Sequence, residues 1–331
     1  MEKIFYPLTQ RRLRTSTHIR ELSASVQLDY RGFIQPLFVE EGLQAPRSVK
    51  GLPGVQVQTA DTILASISES IEKGCHKFLL FPVPDTRRKM EINFSFARSV
   101  VKSIKQFFGS GIWLSVDICL CSYTPHGHCG ILNEAGTKLL NSPTVDLLSR
   151  YALQLAQAGA DCLAPSDMSD GRIGAIRVAL DSMGFDTVGI MSYAAKFSSQ
   201  FYGPFRDACH STPSSEGLQN RKTYQLSPLN PRDALASSLR DEREGADILM
   251  VKPAGLYTDV IASLKQHTHC PVAAYHVSGE YAAIEALAEK GLVNRVAAHL
   301  EVWTALRRAG ANMIISYAAN EAREWIEGME Y

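Results

Sequence analysis

The sequence predicts a single (β/α)₈ barrel of the α/β class, on three observations. Eight short apolar runs alternate with amphipathic stretches from residue 33 to the C-terminus, the pattern of parallel strands crossed over by helices. No Gly-x-Gly-x-x-Gly fingerprint follows the first run, which argues against an open dinucleotide-binding sheet. Residues of unusual chemistry fall where the runs end, and the C-terminal face of a barrel is where its sites are built. A chain of 331 residues suits one such barrel.

Taken in order, the predicted strands are 33–39, 77–82, 112–118, 161–165, 187–192, 247–252, 271–277 and 312–316. Each is short and nearly all apolar, as a strand buried on both faces must be. Helical periodicity appears at 62–73, 95–108, 144–158, 171–183, 257–266, 281–290 and 296–308. Gly159, Gly245 and Gly310 each precede Ala-Asp or Ala-Asn at a helix-to-strand junction, where glycine suits the left-handed residue that ends a helix. Residues 1–32 read as an N-terminal arm and 33–331 as the barrel domain. One segment, 208–232, has neither period; a loop this long at the C-terminal face reads as an active-site lid.

Composition excludes several functions. Lys+Arg and Asp+Glu both number 34, so no net charge or basic block favours nucleic acid or an anionic membrane surface. No stretch approaches the roughly 20 apolar residues of a membrane span, and the start lacks a signal-peptide core. A cytoplasmic protein is expected. Its seven cysteines, an odd number with three clustered, fit a reducing compartment better than a disulfide framework.

That cluster is the most specific signal. Between Asp117 and Cys129 lie three thiols (Cys119, Cys121 and Cys129), two imidazoles (His126 and His128) and the Asp117 carboxylate. Thiolates favour Zn²⁺ over hard ions, and three protein ligands leave a coordination position open, as in catalytic zinc. The two histidines read better as neighbours of the site than as ligands. Cys75, Cys162, Cys209 and Cys270 are scattered and read as small core or surface residues.

Lys252 ends the sixth run behind Ile-Leu-Met-Val, and Lys196 follows the fifth. Desolvation and a second cation both lower a lysine's pKa, leaving an amine able to attack a carbonyl. Either lysine alone would more readily be a snorkelling surface charge. Two at strand ends beside a thiol cluster point to imine chemistry. Arg206 and Arg221 offer bidentate grips for a substrate carboxylate, or are solvated loop charges. A class I aldolase-like barrel, with one lysine and no metal, is the alternative enzyme. A zinc-stabilised scaffold without catalysis is the alternative from another class.

Four segments add a resemblance: 117–130 with its Cys-Leu-Cys and His-Gly-His-Cys, 196–207 from Lys196 through Phe-Tyr-Gly-Pro-Phe-Arg, 250–254 (Met-Val-Lys-Pro-Ala), and 275–280 (Tyr-His-Val-Ser-Gly-Glu). With 81–84 and 164–172, they resemble the porphobilinogen synthases, or 5-aminolevulinate dehydratases, from about residue 33 onward. The resemblance implies a (β/α)₈ lyase that condenses two 5-aminolevulinate molecules to porphobilinogen, losing two waters, in tetrapyrrole (heme) biosynthesis. It implies that Lys252 and Lys196 form Schiff bases and that Cys119, Cys121 and Cys129 hold catalytic zinc, with Asp117 beside them; Asp117 and His128 are the candidates for moving protons or supporting the metal. It assigns Ser278 and Tyr317 to the carboxylate of one substrate, and Arg206, Arg221 and Gln225 to the other. It also implies a homo-octamer in which N-terminal arms embrace neighbours, residues 5–14 resembling such an arm. The chain departs from the family at two places. Thr223 stands where some members have a second zinc-binding cysteine. Ser237 stands where many bacterial members have a glutamate for allosteric Mg²⁺, with Asp241 and Glu242 nearby. Neither a second zinc nor magnesium activation is expected.

Overall fold

The computed structural model describes residues 9–85, 92–214 and 217–329. The apolar part of the predicted arm, Phe5 to Leu8, and residues 215–216 of the predicted lid lie outside these. Eight parallel strands close into a barrel: β1 (Phe33–Glu40), β2 (Lys77–Val83), β3 (Trp113–Ile118), β4 (Cys162–Pro165), β5 (Gly189–Lys196), β6 (Ile248–Lys252), β7 (Val272–Tyr275) and β8 (Met313–Ile315). Closure is made by β8 against β1, pairing Phe33 with Ile314 and Ile34 with Ile315. The apolar runs form strands because both faces are covered. Phe78, Leu79 and Leu80 are consecutive in β2 and fully buried, each stabilising the fold by about 2 kcal/mol.

Helices α1 (Ile63–Glu72), α2 (Ser95–Phe108), α3 (Asn141–Gln157), α4 (Arg172–Ser182), α5 (Pro231–Arg243) and α6 (Thr258–His267) come after β1 to β6 in turn, while α7 (Ser278–Glu289) and α8 (Arg295–Ala309) both lie between β7 and β8 and a short helix, Ala322–Glu327, follows β8. Helix α5 breaks the expectation of an aperiodic stretch up to residue 232. Asn230 caps it by accepting from the Asp233 N–H at 3.3 Å, and Pro231 occupies its first turn. Its inner face is Ala234, Ser237, Ser238 and Asp241, too small and polar to register as an apolar stripe.

Two corrections bear on the site. β5 runs past Ser192 and ends on Lys196, so this lysine belongs to the strand rather than following it. A register shift between Ser192 and Ala195 inserts one extra residue against β6, and the strand continues beyond the predicted end. Helix α7 begins three residues earlier than its apolar period, which puts Ser278 in its first turn. The segment after β5 is also more regular than a coil, with a short helix at Gly203–Ala208 and a bridge from Phe197 to Leu226.

Candidate active site

Lys196 and Lys252 are direct Cα partners at the ends of β5 and β6. Partnered residues on neighbouring strands send their side chains to the same face. Register alone therefore brings the two amines together. The Nζ of Lys252 lies 4.0 Å from the centre of the Tyr275 ring, 4.7 Å from Phe205, 5.0 Å from Tyr193 and 5.5 Å from Tyr202. These rings exclude water. Burial, reinforced by the charge of Lys196, brings the Lys252 pKa down to about 7. Lys196 sits differently: its Nζ donates to the main-chain carbonyl of Ser166 just beyond β4 and lies 5.4 Å from the Tyr193 ring centre. Asp117 of β3 is the neighbouring acid. Burial raises its pKa to about 6 against the pull of Lys196, and its Oδ1 has no hydrogen-bond partner.

Beyond β3 the chain turns, with the Leu120 carbonyl accepting from the Tyr123 and Thr124 N–H groups at 2.9 and 3.0 Å. This turn and the return through Gly127 bring Cys119, Cys121 and Cys129 together. All three are buried, with sulfurs within 4.8 Å of one another. Hydrogen bonds from Cys119 and Cys121 hold the Cys129 thiol well below the usual thiol range. Ligands about 2.3 Å from a tetrahedral Zn²⁺ would have sulfurs about 3.8 Å apart, within the observed span. The trio can hold a soft metal ion.

Residues 217–226 lock onto this loop. Arg221 donates to the carbonyls of Gly127 at 2.9 Å and Ser211 at 2.6 Å. Burial alone would lower its pKa, but the sulfurs of Cys129 and Cys121 turn the shift upward. His128 is fully buried with both ring nitrogens engaged, Nε2 with the Leu218 carbonyl at 2.5 Å and Nδ1 with the Tyr224 hydroxyl at 3.0 Å. It therefore ties the cysteine loop to residues 217–226. Gly127 has φ 70° and faces the Thr212 carbonyl so closely that a Cβ would stand 2.4 Å from that oxygen. Only glycine fits there.

Around the mouth, Ser278 accepts from the Phe205 N–H at 3.2 Å and donates to the Phe201 carbonyl at 3.3 Å. The Tyr317 hydroxyl lies 3.3 Å from that of Tyr275. The Nε atoms of Arg206 and Arg221 and both amide atoms of Gln225 are buried without a hydrogen-bond partner. A buried unpaired polar group costs about 1–3 kcal/mol, a cost that a bound polar ligand would remove. Thr223 precedes Tyr224 and is exposed. Ser237 and Asp241 accept from Arg240, at 3.3 and 3.0 Å, and Glu242 accepts from the Cys270 thiol at 3.5 Å.

Sequence reading overlooked the four rings around Lys252 and the carbonyl that receives Lys196. Three of the rings had a signal, since Tyr202 and Phe205 lie in the Phe-Tyr-Gly-Pro-Phe run and Tyr275 heads the Tyr-His-Val-Ser-Gly-Glu run. The Ser166 carbonyl had none, because every residue carries one. Among the described residues no helix is long and apolar enough to cross a membrane.

Residues 8–325 match the family model of delta-aminolevulinic acid dehydratase. The chain is 39% identical over 320 residues to the delta-aminolevulinic acid dehydratase of Bacillus subtilis, covering 96% of this chain and 97% of that one. The corresponding protein of Halalkalibacterium halodurans is 40% identical, with 96% of each covered. The crystal structure of the Toxoplasma gondii delta-aminolevulinic acid dehydratase (porphobilinogen synthase), in complex with the product porphobilinogen, superposes with a TM-score of 0.90. It is 36% identical and covers 98% of this chain and 93% of that one. Matched along nearly its whole length in sequence and in fold, the chain belongs to the delta-aminolevulinic acid dehydratase family.

Proposed function

We propose that this chain condenses two molecules of 5-aminolevulinate to porphobilinogen with loss of two waters, using Lys252 and Lys196 as the imine-forming groups. The pairing of these lysines in register, one with its pKa near 7, carries the reading. The neutral Lys252 amine adds to a substrate ketone, and loss of water leaves an imine that acidifies the adjacent carbon. The surrounding rings keep bulk water from reversing that step. Ser278 and Tyr317 receive the first carboxylate. Arg206, Arg221 and Gln225, each with an unpaired buried polar atom, receive the second and hold both molecules in register.

Cys119, Cys121 and Cys129 would hold Zn²⁺, which when bound supplies a Lewis acid for the second substrate. Asp117 lies where it can accept or return a proton, and His128 supports the loop. The same reading gives a cytoplasmic homo-octamer assembled through the arm of residues 1–32. In keeping with that, none of residues 9–27 is buried in the single chain. A lid over 208–232 would close the mouth.

The test is direct. Zinc-loaded protein given 5-aminolevulinate should form the pyrrole product, and borohydride should trap substrate on the Lys252 and Lys196 peptides. Trapping on one lysine with metal-independent turnover would favour the aldolase-like alternative, and no product at all would overturn the reading.

A further inference from the structure

A second charged cluster lies behind the mouth, between β4, β5 and the outer helices. Arg172, at the start of α4, is fully buried. Its Nη1 donates to the Ser169 carbonyl at 3.2 Å, and its Nη2 donates to Ser192 Oγ at 3.2 Å and Asp241 Oδ2 at 3.1 Å. Its Nε stands 3.4 Å from Asp167 Oδ1. Ser192 also donates to Asp241 at 2.5 Å, and Arg240 donates to the other Asp241 oxygen at 3.0 Å. Arg172 and Arg240 thus face Asp167 and Asp241, three of these four groups being wholly buried, and Arg240 also pairs with Asp170 at 2.6 Å on the outside.

Such a cluster needs a positional reason. Removing charges from water costs several kcal/mol per ion, and well-packed apolar side chains often replace a buried pair without loss of stability. What Arg172 grips supplies that reason. Ser192 lies in β5 immediately before the extra residue that leads the strand on to Lys196. Asp167 and Ser169 belong to the turn after β4, whose Ser166 carbonyl receives the Lys196 ammonium. Within that turn Asp167 accepts from the Ser169 N–H at 2.7 Å, and Met168 is held at φ 73°, a conformation rare for a side-chain-bearing residue. One guanidinium therefore fixes both ends of a single hydrogen bond: the strand that carries the amine and the turn that carries its acceptor.

We propose that Arg172 is a positioning residue for Lys196, clamping β5 to the β4 turn so that the Lys196 amine is held at its place in the mouth. This rests on the reading of Lys196 and Lys252 as imine-forming groups. Arg172 is fully buried, and its guanidinium is taken up by Ser169, Ser192, Asp241 and Asp167. Its effect should therefore be selective. A lysine at 172 keeps the charge but loses the fork that reaches three partners at once.

The experiment compares wild type with Arg172→Lys, and with Asp241→Asn as a second variant that keeps shape while removing one arm of the clamp. Steady-state kinetics, thermal melting and borohydride trapping with peptide mapping are read together on zinc-loaded enzyme. In both variants trapping on Lys252 should stay within about twofold, trapping on Lys196 should fall about tenfold, and kcat should fall between ten- and about 100-fold with a smaller change in KM. If kcat per folded molecule and the Lys196 label in the folded variants match wild type, the cluster is structural only and the proposal is overturned. If wild type itself carries no label on Lys196, the imine reading of that residue fails first and takes this inference with it.

Discussion

The strand ends and the loops of this barrel solve the same problem by different means. Lys196 and Lys252 are placed by the sheet, whose ladder leaves them no freedom of register. The three sulfurs are placed by a loop that depends on residues 217–226, through Arg221 on Gly127 and His128 on Leu218. Lys252 should therefore tolerate changes elsewhere, whereas Lys196, which also leans on the β4 turn, should feel only changes in the Arg172 clamp. Loop-borne groups should be sensitive to one another.

The largest expected effect lies at the strand ends. Lys252→Ala should lower kcat by about 10⁴-fold or more, the scale of losing a nucleophile, while circular dichroism stays unchanged. Activity within tenfold of wild type would break the comparison at its firmer half. Next comes the loop. Chelation should abolish turnover with little change in circular dichroism, and Zn²⁺ should restore it. Full activity of metal-free protein with reduced cysteines would show that the thiols serve only to fold the loop.

Arg221→Ala joins the two regions. Losing its grip on Gly127 and Ser211 should raise the apparent KM about tenfold and weaken metal retention in a dialysis assay. Borohydride trapping on Lys252 should persist, because the sheet holds that residue. Equal loss of trapping and turnover would mean that loop and strands are not separable.

A pH profile sharpens the strand side. Lys252 must be neutral to attack, and its pKa is lowered to about 7. kcat/KM should therefore fall as pH drops below 7, approaching tenfold per unit, and level off above it. A profile flat between pH 5 and 8 would contradict the buried amine. Smallest of all, Mg²⁺ added to zinc-loaded enzyme should change activity by less than about twofold, since the Ser237 hydroxyl offers no charged oxygen and accepts from Arg240. A larger activation would show a magnesium site elsewhere.

The two regions were also unequally legible in the sequence. All eight strands were visible as apolar runs, because a sheet covered on both sides leaves no room for polar alternation. Lys252 could be placed at a strand end from Ile-Leu-Met-Val alone. Lys196 could not, because Tyr193-Ala-Ala carries an irregularity that hydrophobic patterning does not encode. The cysteines announced a metal group by type and spacing, yet nothing local foretold that His128 would spend both nitrogens on Leu218 and Tyr224. Helix α5 was passed over because it buries serine and aspartate instead of leucine. The Arg172 cluster was invisible for a related reason, its members lying in three segments that only the closed barrel brings together.

The extra residue between Ser192 and Ala195 does more than lengthen β5. In an unbroken strand, residues four apart share a face, so Ser192 and Lys196 would look the same way. Here Ser192 bonds to Asp241 in the helix layer, while Lys196 reaches across the mouth toward Tyr193 and Ser166. The insertion acts as a shift of reading frame written into the backbone. Upstream of it the strand is spelled for the scaffold, and downstream it is spelled for chemistry.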